Sequence, residues 1–401
     1  MTKKILLLGG SKQQLVAIEK AKELGYKTIL CDYLKDNPGK EIADKFYLVS
    51  TTDKEKVLQI AKAEEIDGVV AYASDPAAPT AAYVSTELGL PGVSYDVARS
   101  FCEKHLFRSF LAENKFNVPK SVEVDLGAIE KSDFGDLSFP VIVKPTDSSG
   151  SKGVTVVERS DLVGEAIDAA SQFSRNGIIL VEEYIVRAHE SVIEAEIFVA
   201  DSQIKSWGLI NSIRDEGSNP LLPAGYSYPL SLDAEKKLIV ANEVSRLVKA
   251  SGVKYGAFNI EMILDKKNNL FFLDAGPRNG GNMLPDFISM ISGKNLVEAT
   301  VRAAMDEFGE FDIDLPLNHE SYWGLAVLHS QKGGLFGGIS YSDTALTSLI
   351  KEELQVSRGD KVAPFEKCTD LLGLSFFDFD SKQEMEDVMG NMSKNIALEL
   401  L

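Results

Sequence analysis

Lysines set among glycines, and carboxylates set on neighbouring strands, are the residues of this chain whose types and spacing suit chemistry on a phosphate. The run "FPVIVKPTDSSGSKGVTVV" (139–157) joins two strand-like segments through a Ser/Gly loop too long for a tight hairpin turn, with Lys144 at its entry and Lys152 near its exit. Backbone N–H groups of such a loop, helped by a lysine, can cradle phosphate oxygens. Lys144 would meet them from the strand, while Ser148, Ser149, Gly150, Ser151 and Gly153 let the backbone fold over them. A mobile surface hairpin is the alternative, since glycine loops are common punctuation and this one lacks the Walker pattern. The second set is acidic. Glu261 in "NIEMIL" and Asp274 in "FFLDAG" flank the turn "DKKNN", so a hairpin places them side by side. Two carboxylates held together in an interior sheet repel unless a cation joins them, and Mg2+ shared with substrate phosphates meets that need. On an edge strand each would instead face solvent. Arg278, followed by "NGGN", lies in a glycine-rich turn suited to bidentate capture of a carboxylate or phosphate.

The elements that must position these residues follow from the periodicity. Residues 1–95 alternate strand and helix, the order of a parallel, doubly wound sheet. Gly9 and Gly10 end the first strand and Asp32 closes the second, an incomplete dinucleotide fingerprint because "GGSKQQ" lacks the later glycines. A tight turn with a strand-end Asp is the favoured reading; an NAD(P)-binding oxidoreductase is its rival. Asp75 in "ASDPAAP" is expected to cap the helix that follows Pro76. The stretch "SYDVARSFCEKHLFRSFLAEN" reads as helical, with Lys104 and Arg108 on one face that like charge should keep solvated. Further on come strands, a long helix over 233–250, a helix over about 295–307, and "SYWGLAVLHSQKGGLFGGIS", which reads as a hairpin before mixed α/β structure.

Composition narrows the function classes. The 401 residues carry 42 basic and 60 acidic side chains, a formal charge of −18, which argues against a sequence-independent grip on nucleic acid or anionic membranes. Cys31, Cys102 and Cys368 have no metal or redox spacing, and the four histidines share none. No apolar run approaches a membrane span, and "MTKKILLLGGSKQQ" has too short an apolar stretch for a signal peptide, so a cytoplasmic location is expected.

Taken in order, Lys104, "VKPTDSSGSKGV", "LVEEYI", Glu261 and "LDAGPRNGG" resemble the ATP-grasp superfamily over nearly the whole chain. The arrangement is similar to its carboxylate–amine ligase and carbamoyl-phosphate-synthase-like branch, which includes amino-acid ligases and phosphoribosylamine–glycine ligase. The resemblance implies an α/β and α+β architecture: a Rossmann-like parallel-sheet domain (1–95), a two-subdomain ATP-grasp fold (96–310, lid about 120–187) and a small C-terminal α/β region (311–401). ATP would lie between the subdomains, with Lys104 and Lys144 on its phosphates and the loop 148–153, Lys152 included, closing over them. Glu182, Glu183, Tyr184 and Ile185 would form the hinge against adenine, and Glu190 would reach the ribose. Glu261 and Asp274 would hold Mg2+ (or Mn2+), and Arg278 with Gly280 and Gly281 would bind substrate; apart from the resemblance, "NSIRDEG" offers Arg214 as a carboxylate anchor, the alternative being a solvated loop arginine. Where the family commonly carries a metal-binding Asn, "DAGPR" has Gly276; Asn279 or Asn282 is the expected replacement. The implied reaction activates a small carboxylate as an acyl phosphate, with ADP released and an amine capturing the acyl group; Lys144 and Arg278 would be catalytic. Phosphoribosylamine–glycine ligase and carbamoyl-phosphate-synthase-like activities are alternatives within this class, and a non-catalytic ATP-binding protein is the rival that Gly276 raises. By the same analogy the partners are a small carboxylate, an amine and a second copy of the chain.

Overall fold

The computed structural model describes residues 2–129, 133–307 and 313–401. The chain opens on four parallel strands, β1 (Lys4–Leu8), β2 (Lys27–Asp32), β3 (Lys45–Leu48) and β4 (Gly68–Val70), ordered β3-β2-β1-β4. An uninterrupted apolar run such as "ILLL" suits a strand covered on both faces. Ile5 and Leu7 pack with Ala17, Ile18 and Ala21 of one helix, and Leu6 and Leu8 with Val57, Leu58 and Ala61 of another. The glycine turn after β1 is filled from within: a Cβ on Gly9 would lie 2.3 Å from Gln14 Nε2. Gly10 N and Leu34 N both donate to the Asp32 carboxylate at 2.8 Å, so that strand-end Asp is occupied by its own backbone, as the favoured reading had it.

The stretch expected to be helical forms two helices, Tyr95–Cys102 and Lys104–Glu113, separated at Glu103, which adopts an extended conformation (φ −104°, ψ 110°). Next comes a four-stranded antiparallel sheet, β5 (Ser121–Asp125), β6 (Val141–Pro145), β7 (Thr155–Val157) and β8 (Ile178–Glu183), in the order β5-β8-β6-β7. Here β6 and β7 do pair as a hairpin, Val141 opposite Val157, with residues 146–154 as the long loop between them. Ala166, Ile167 and Ala170 of the helix Val163–Ser171 close its apolar face.

The largest sheet is antiparallel throughout. It contains β9 (Val192–Ala200), β10 (Gln203–Arg214), β11 (Pro223–Tyr228), β12 (Gly256–Leu264) and β13 (Leu270–Gly276). It continues into β14 (Tyr322–Leu328), while β15 (Gly334–Tyr341), β16 (Leu349–Leu354), β17 (Lys361–Val362), β18 (Gly373–Phe379) and β19 (Ile396–Leu400) complete the strands. The order is β13-β12-β9-β10-β11-β14-β18-β16, so strands from both sides of the expected 310/311 boundary share one sheet. The expected hairpin over "SYWGLAVLHSQKGGLFGGIS" is therefore absent. β14 lies between β11 and β18, whereas β15 pairs with β17 and β19 in a small separate sheet. The reason is burial: Leu325, Ala326, Val327 and Leu328 are all covered, so β14 belongs inside a sheet rather than in a surface hairpin.

Alternation along β9 sets up the site. Ile193, Ala195, Ile197 and Val199 join Val240, Val244 and Leu247 of the helix Ala234–Ser251 in the main core, each such burial worth about 1.5–3 kcal/mol for the larger side chains. Strand geometry then sends Glu194 and Glu196 to the opposite face. Among the described residues no helix is long and apolar enough to cross a membrane.

Candidate active site

A cavity of about 160 Å3 separates the β6–β7 hairpin from the central sheet. Its walls include Lys104, Lys144, residues 148–151, residues 182–185, Glu261 and Asp274. The structure thus brings together most residues that the sequence singles out, from four separate stretches of chain.

On the hairpin side, two cations converge on one carboxylate. Arg108 grips Glu182 with two bonds, Nε to Oε2 at 2.8 Å and Nη2 to Oε1 at 3.1 Å, and also donates to Leu273 O at 3.0 Å. Lys144 Nζ completes the cluster on Glu182 Oε1. All three side chains are buried. The expectation that Arg108 is solvated is corrected here: its helix buries Phe107 and Leu111 in the core of the central sheet, Arg108 reaches from there to Glu182, and a fork-shaped donor satisfies a buried carboxylate better than water would at that depth. Burial alone would raise the Glu182 carboxyl, but Arg108 and Lys144 hold it down at about 2. Burial lowers Lys144 to about 8, and Arg108 and Lys104 push the same way against the pull of Glu182. The two partners shift unequally because one carboxylate serves several cations. Lys104 Nζ lies 3.0 Å from Asp274 Oδ2 and 3.1 Å from Ser148 O, tying the loop to the central sheet. Burial disfavours its charge, yet Asp274 more than compensates and raises its pKa.

The loop is closed onto its surroundings. Ser151 Oγ donates to Leu221 O at 3.0 Å. Gly150, at φ +66°, passes Cys368 so closely that a Cβ would sit 2.4 Å from Sγ. A Cβ on Gly153 would strike Phe173 at 2.8 Å. Lys152 is half-buried with its charge felt by Cys368. In the hinge, the amides of Glu183 and Tyr184 are committed to Lys120 O and Pro140 O at 2.9 and 3.0 Å. Glu183 Oε1 accepts from Ser138 N, and Ile185 lines the cavity. Glu190 is exposed and is not a wall residue, whereas the nearby Arg187 is.

The opposite wall is acidic. β12 and β13 form the expected hairpin with Glu261 opposite Asp274, and on the other side of β12 Glu261 faces Glu194 and Asn259 faces Glu196. Asp274 remains 41% exposed to the cavity and Glu261 30%. Glu194 and Glu196 are nearly inaccessible, with Glu194 Oε2 and Glu196 Oε1 lacking any hydrogen-bond partner. Burial raises Glu194 to about 7, with the Glu261 charge adding to it, and burial raises Glu196 to about 8. Arg214 is buried, not solvated as loop arginines usually are; it ends β10 and reaches Glu261 at 3.5 Å. Gly280 N donates to Glu196 Oε2 at 2.8 Å, and a side chain there would meet both that oxygen and Asn259 Nδ2. Gly281 is roomier, its nearest neighbour Gln13 Oε1.

Arg278 is held by Asp75 from the first domain, at 2.6 Å from Oδ1. Asp75 does not cap a helix: the helix Ala78–Leu88 begins with Ala77 at its N-cap and no side-chain cap bond. Asn279 Oδ1 accepts from Thr300 Oγ1 at 3.0 Å, beside a second cavity of about 810 Å3 between the first sheet and the helix Leu296–Ala304. Asn282 Nδ2 donates to Tyr226 Oη at 3.0 Å. Neither asparagine is engaged with the Glu261–Asp274 pair in this structure. Among the described residues, no three His, Cys, Asp or Glu side chains converge as a complete metal site. The donor chemistry of Glu261 and Asp274 nevertheless fits Mg2+, which completes its octahedron with water and phosphate oxygens.

Sequence reasoning misplaced Arg108 in solvent and passed over Glu194, Glu196 and the Asp75 partnership. Two glutamates at i and i+2 inside the apolar run "VIEAEIFVA" were the available signal, since such spacing puts both on one face of a buried strand. Asp75 and Arg278 are 203 residues apart, and no local pattern links them.

A glycine loop and lysines on one sheet, facing paired carboxylates on another, define an ATP-grasp arrangement, and residues 137–286 match the family model of the ATP-grasp domain. The chain carries an ATP-grasp domain. Formate-dependent phosphoribosylglycinamide formyltransferase of Methanocaldococcus jannaschii is 25% identical over 296 residues, 69% of each chain. The L-amino acid ligase from Bacillus licheniformis superposes with a TM-score of 0.80 at 20% identity, covering 100% of this chain and 99% of that one. The biotin carboxylase domain dimer of the Hydrogenobacter thermophilus 2-oxoglutarate carboxylase, in complex with MgADP and bicarbonate, gives 0.74 at 18% identity over 100% and 91%. The two structural likenesses establish the shared fold.

Proposed function

We infer that this chain is an ATP-dependent, ADP-forming ligase that activates a small carboxylate as an acyl phosphate and joins it to an amine, an amino acid or a similar compound being the substrate class. The observation that carries this reading is the pairing of opposites across one cavity: Lys104, Lys144 and the 148–151 loop on one wall, the register-matched Glu261 and Asp274 on the other. We read residues 1–95 as the leading domain, 96–310 as the ATP-grasp unit and 311–401 as its C-terminal extension.

The roles follow from placement. The hinge 182–185 would meet adenine, with Glu182 acting mainly as the counter-ion that keeps Arg108 and Lys144 in place. Lys104 and Lys144 would hold the phosphates, and loop amides would close over them. When bound, Mg2+ neutralises charge on the transferring phosphates, held by Glu261 and Asp274. Lys144 would offset the charge on the transferred group, and Arg278 would orient the carboxylate and then the acyl phosphate, so positioning and electrostatics carry the rate. At 160 Å3 the cavity is below the roughly 300 Å3 at which ligand pockets begin, so the hairpin lifts to admit a nucleotide.

The test is ADP and phosphate release from Mg·ATP with pooled amino acids and other small carboxylates, each with and without pooled amines. Release of ADP dependent on one carboxylate pool supports the reading; AMP as the product contradicts it.

A further inference from the structure

The β4-to-helix loop sends Asp75 across the domain boundary to Arg278. Its Oδ1 lies 2.6 Å from both Nε and Nη2, and the Asp75 and Arg278 side chains are only 24% and 13% exposed. One carboxylate oxygen thus bridges both nitrogens of the fork and occupies the edge that would hold a free anion. Two further features serve that contact. A Cβ built on Gly276 would lie 2.6 Å from Asp75 Oδ1 and 2.9 Å from Arg278 Nε, so the pair fills the space that any side chain at position 276 would enter. Ala73, two residues before Asp75, has φ +50°, an uncommon conformation for a residue with a Cβ. The loop is thus bent to deliver a carboxylate that neither caps a helix nor ends in solvent.

We propose that Asp75 is an internal stand-in for the anionic group of the substrate: it occupies the Arg278 fork until a substrate carboxylate or phosphoryl group displaces it, and Gly276 is the residue that admits it. The proposal rests on the reading of Arg278 as the substrate-binding arginine. One guanidinium fork accepts one bidentate anion, so an arriving anion competes directly with Asp75. It also meets the repulsion of that carboxylate until Asp75 withdraws. Once displaced, Asp75 has Lys104 close by, whose charge it already influences. Asp75 is therefore a positioning residue acting through Arg278, and it makes filling of the site known to the first domain.

Inorganic phosphate is the probe, titrated calorimetrically into the full chain with and without saturating Mg·ADP. Asp75→Asn keeps the size of the side chain and removes its charge, and it should tighten phosphate binding by about tenfold or more, a gain that adding Arg278→Gln abolishes. Asp75→Ala, which empties the fork without adding bulk beside Arg278, should give a comparable gain and stands as the independent variant should Asp75→Asn fold poorly. A merely structural Asp75 would not produce a gain. Equal or weaker phosphate binding in Asp75→Asn overturns the proposal, as does a gain that survives loss of Arg278. Failure of the wild type to bind Mg·ADP would count instead against the nucleotide reading, and the nucleotide-free phosphate titrations would still decide the role of Asp75.

Discussion

The Arg108–Glu182–Lys144 cluster and the Glu194–Glu261–Asp274 row stand on the two sheets that wall one cavity, yet they treat charge differently. In the first, a carboxylate is enclosed by cations and held ionised at about 2. In the second, acids stand beside acids, two oxygens find no partner, and burial lifts Glu194 and Glu196 to about 7 and 8. A closed cluster is framework: it fixes the floor on which Lys144 is mounted. The acidic row is closed only in part: Lys104 reaches Asp274 and Arg214 reaches Glu261, each through one carboxylate oxygen, while Glu194 Oε2 and Glu196 Oε1 have no partner. The lysine wall complements phosphate and the carboxylate wall complements a divalent ion, and on the proposed reading Mg·ATP would present both charges to the same cavity.

The difference can be broken from either side. The largest effect should come from the closed cluster: Arg108→Ala leaves Glu182 with only Lys144 in a buried setting and should cost about 3–5 kcal/mol in urea unfolding. A loss below 1 kcal/mol would show that water enters the cluster freely. Lys144→Ala should lower ADP release under turnover conditions by about 100-fold, as expected for one preorganised charge on a transferring group, with a smaller change in ATP affinity.

The pH behaviour sharpens the contrast because the two walls titrate in opposite senses. Lys144 has a folded pKa of about 8, below its ordinary 10.5, so the unfolded chain binds that proton between those values and stability rises with pH across that window. Its charge, however, is lost over the same range, so Mg·ATP affinity should fall above pH 8, by up to about tenfold per unit. Isothermal titration at pH 7.5 and 9 is the check, and Lys144→Arg should flatten the profile. Glu196 is raised from 4.5 to about 8, so the folded chain holds the extra proton and stability declines as pH rises through that interval, by at most about 1.4 kcal/mol per unit. Glu196→Gln should make the slope shallower in denaturation curves taken at pH 5 to 8, and chiefly above pH 7, where Glu194 has already lost its extra proton.

Much of this was legible beforehand, for identifiable reasons. The doubly wound first sheet is written in its strand–helix alternation, and the Glu261–Asp274 register follows from a short polar turn between apolar strands. Local pattern carried both. The solvated reading of Arg108 failed because a helix face reveals its charge but not what packs on it, and Glu182 comes from a strand 74 residues away. The expected hairpin at residues 321–340 failed for the same reason: β14 and β15 are adjacent in sequence, but the unpaired edges of β11 and β18 compete for β14. Non-local pairing decided each case.

The central claim is that nucleotide phosphates sit between the lysine wall and the carboxylate wall. Titration calorimetry of ATP into the wild type with and without Mg2+, and into Lys104→Met/Lys144→Met, tests it most directly. The account predicts Mg2+-dependent binding to the wild type and a loss of about 100-fold or more in the double variant, given the strength of charge-assisted phosphate contacts. Unchanged affinity in a double variant that keeps the wild-type unfolding midpoint would contradict it.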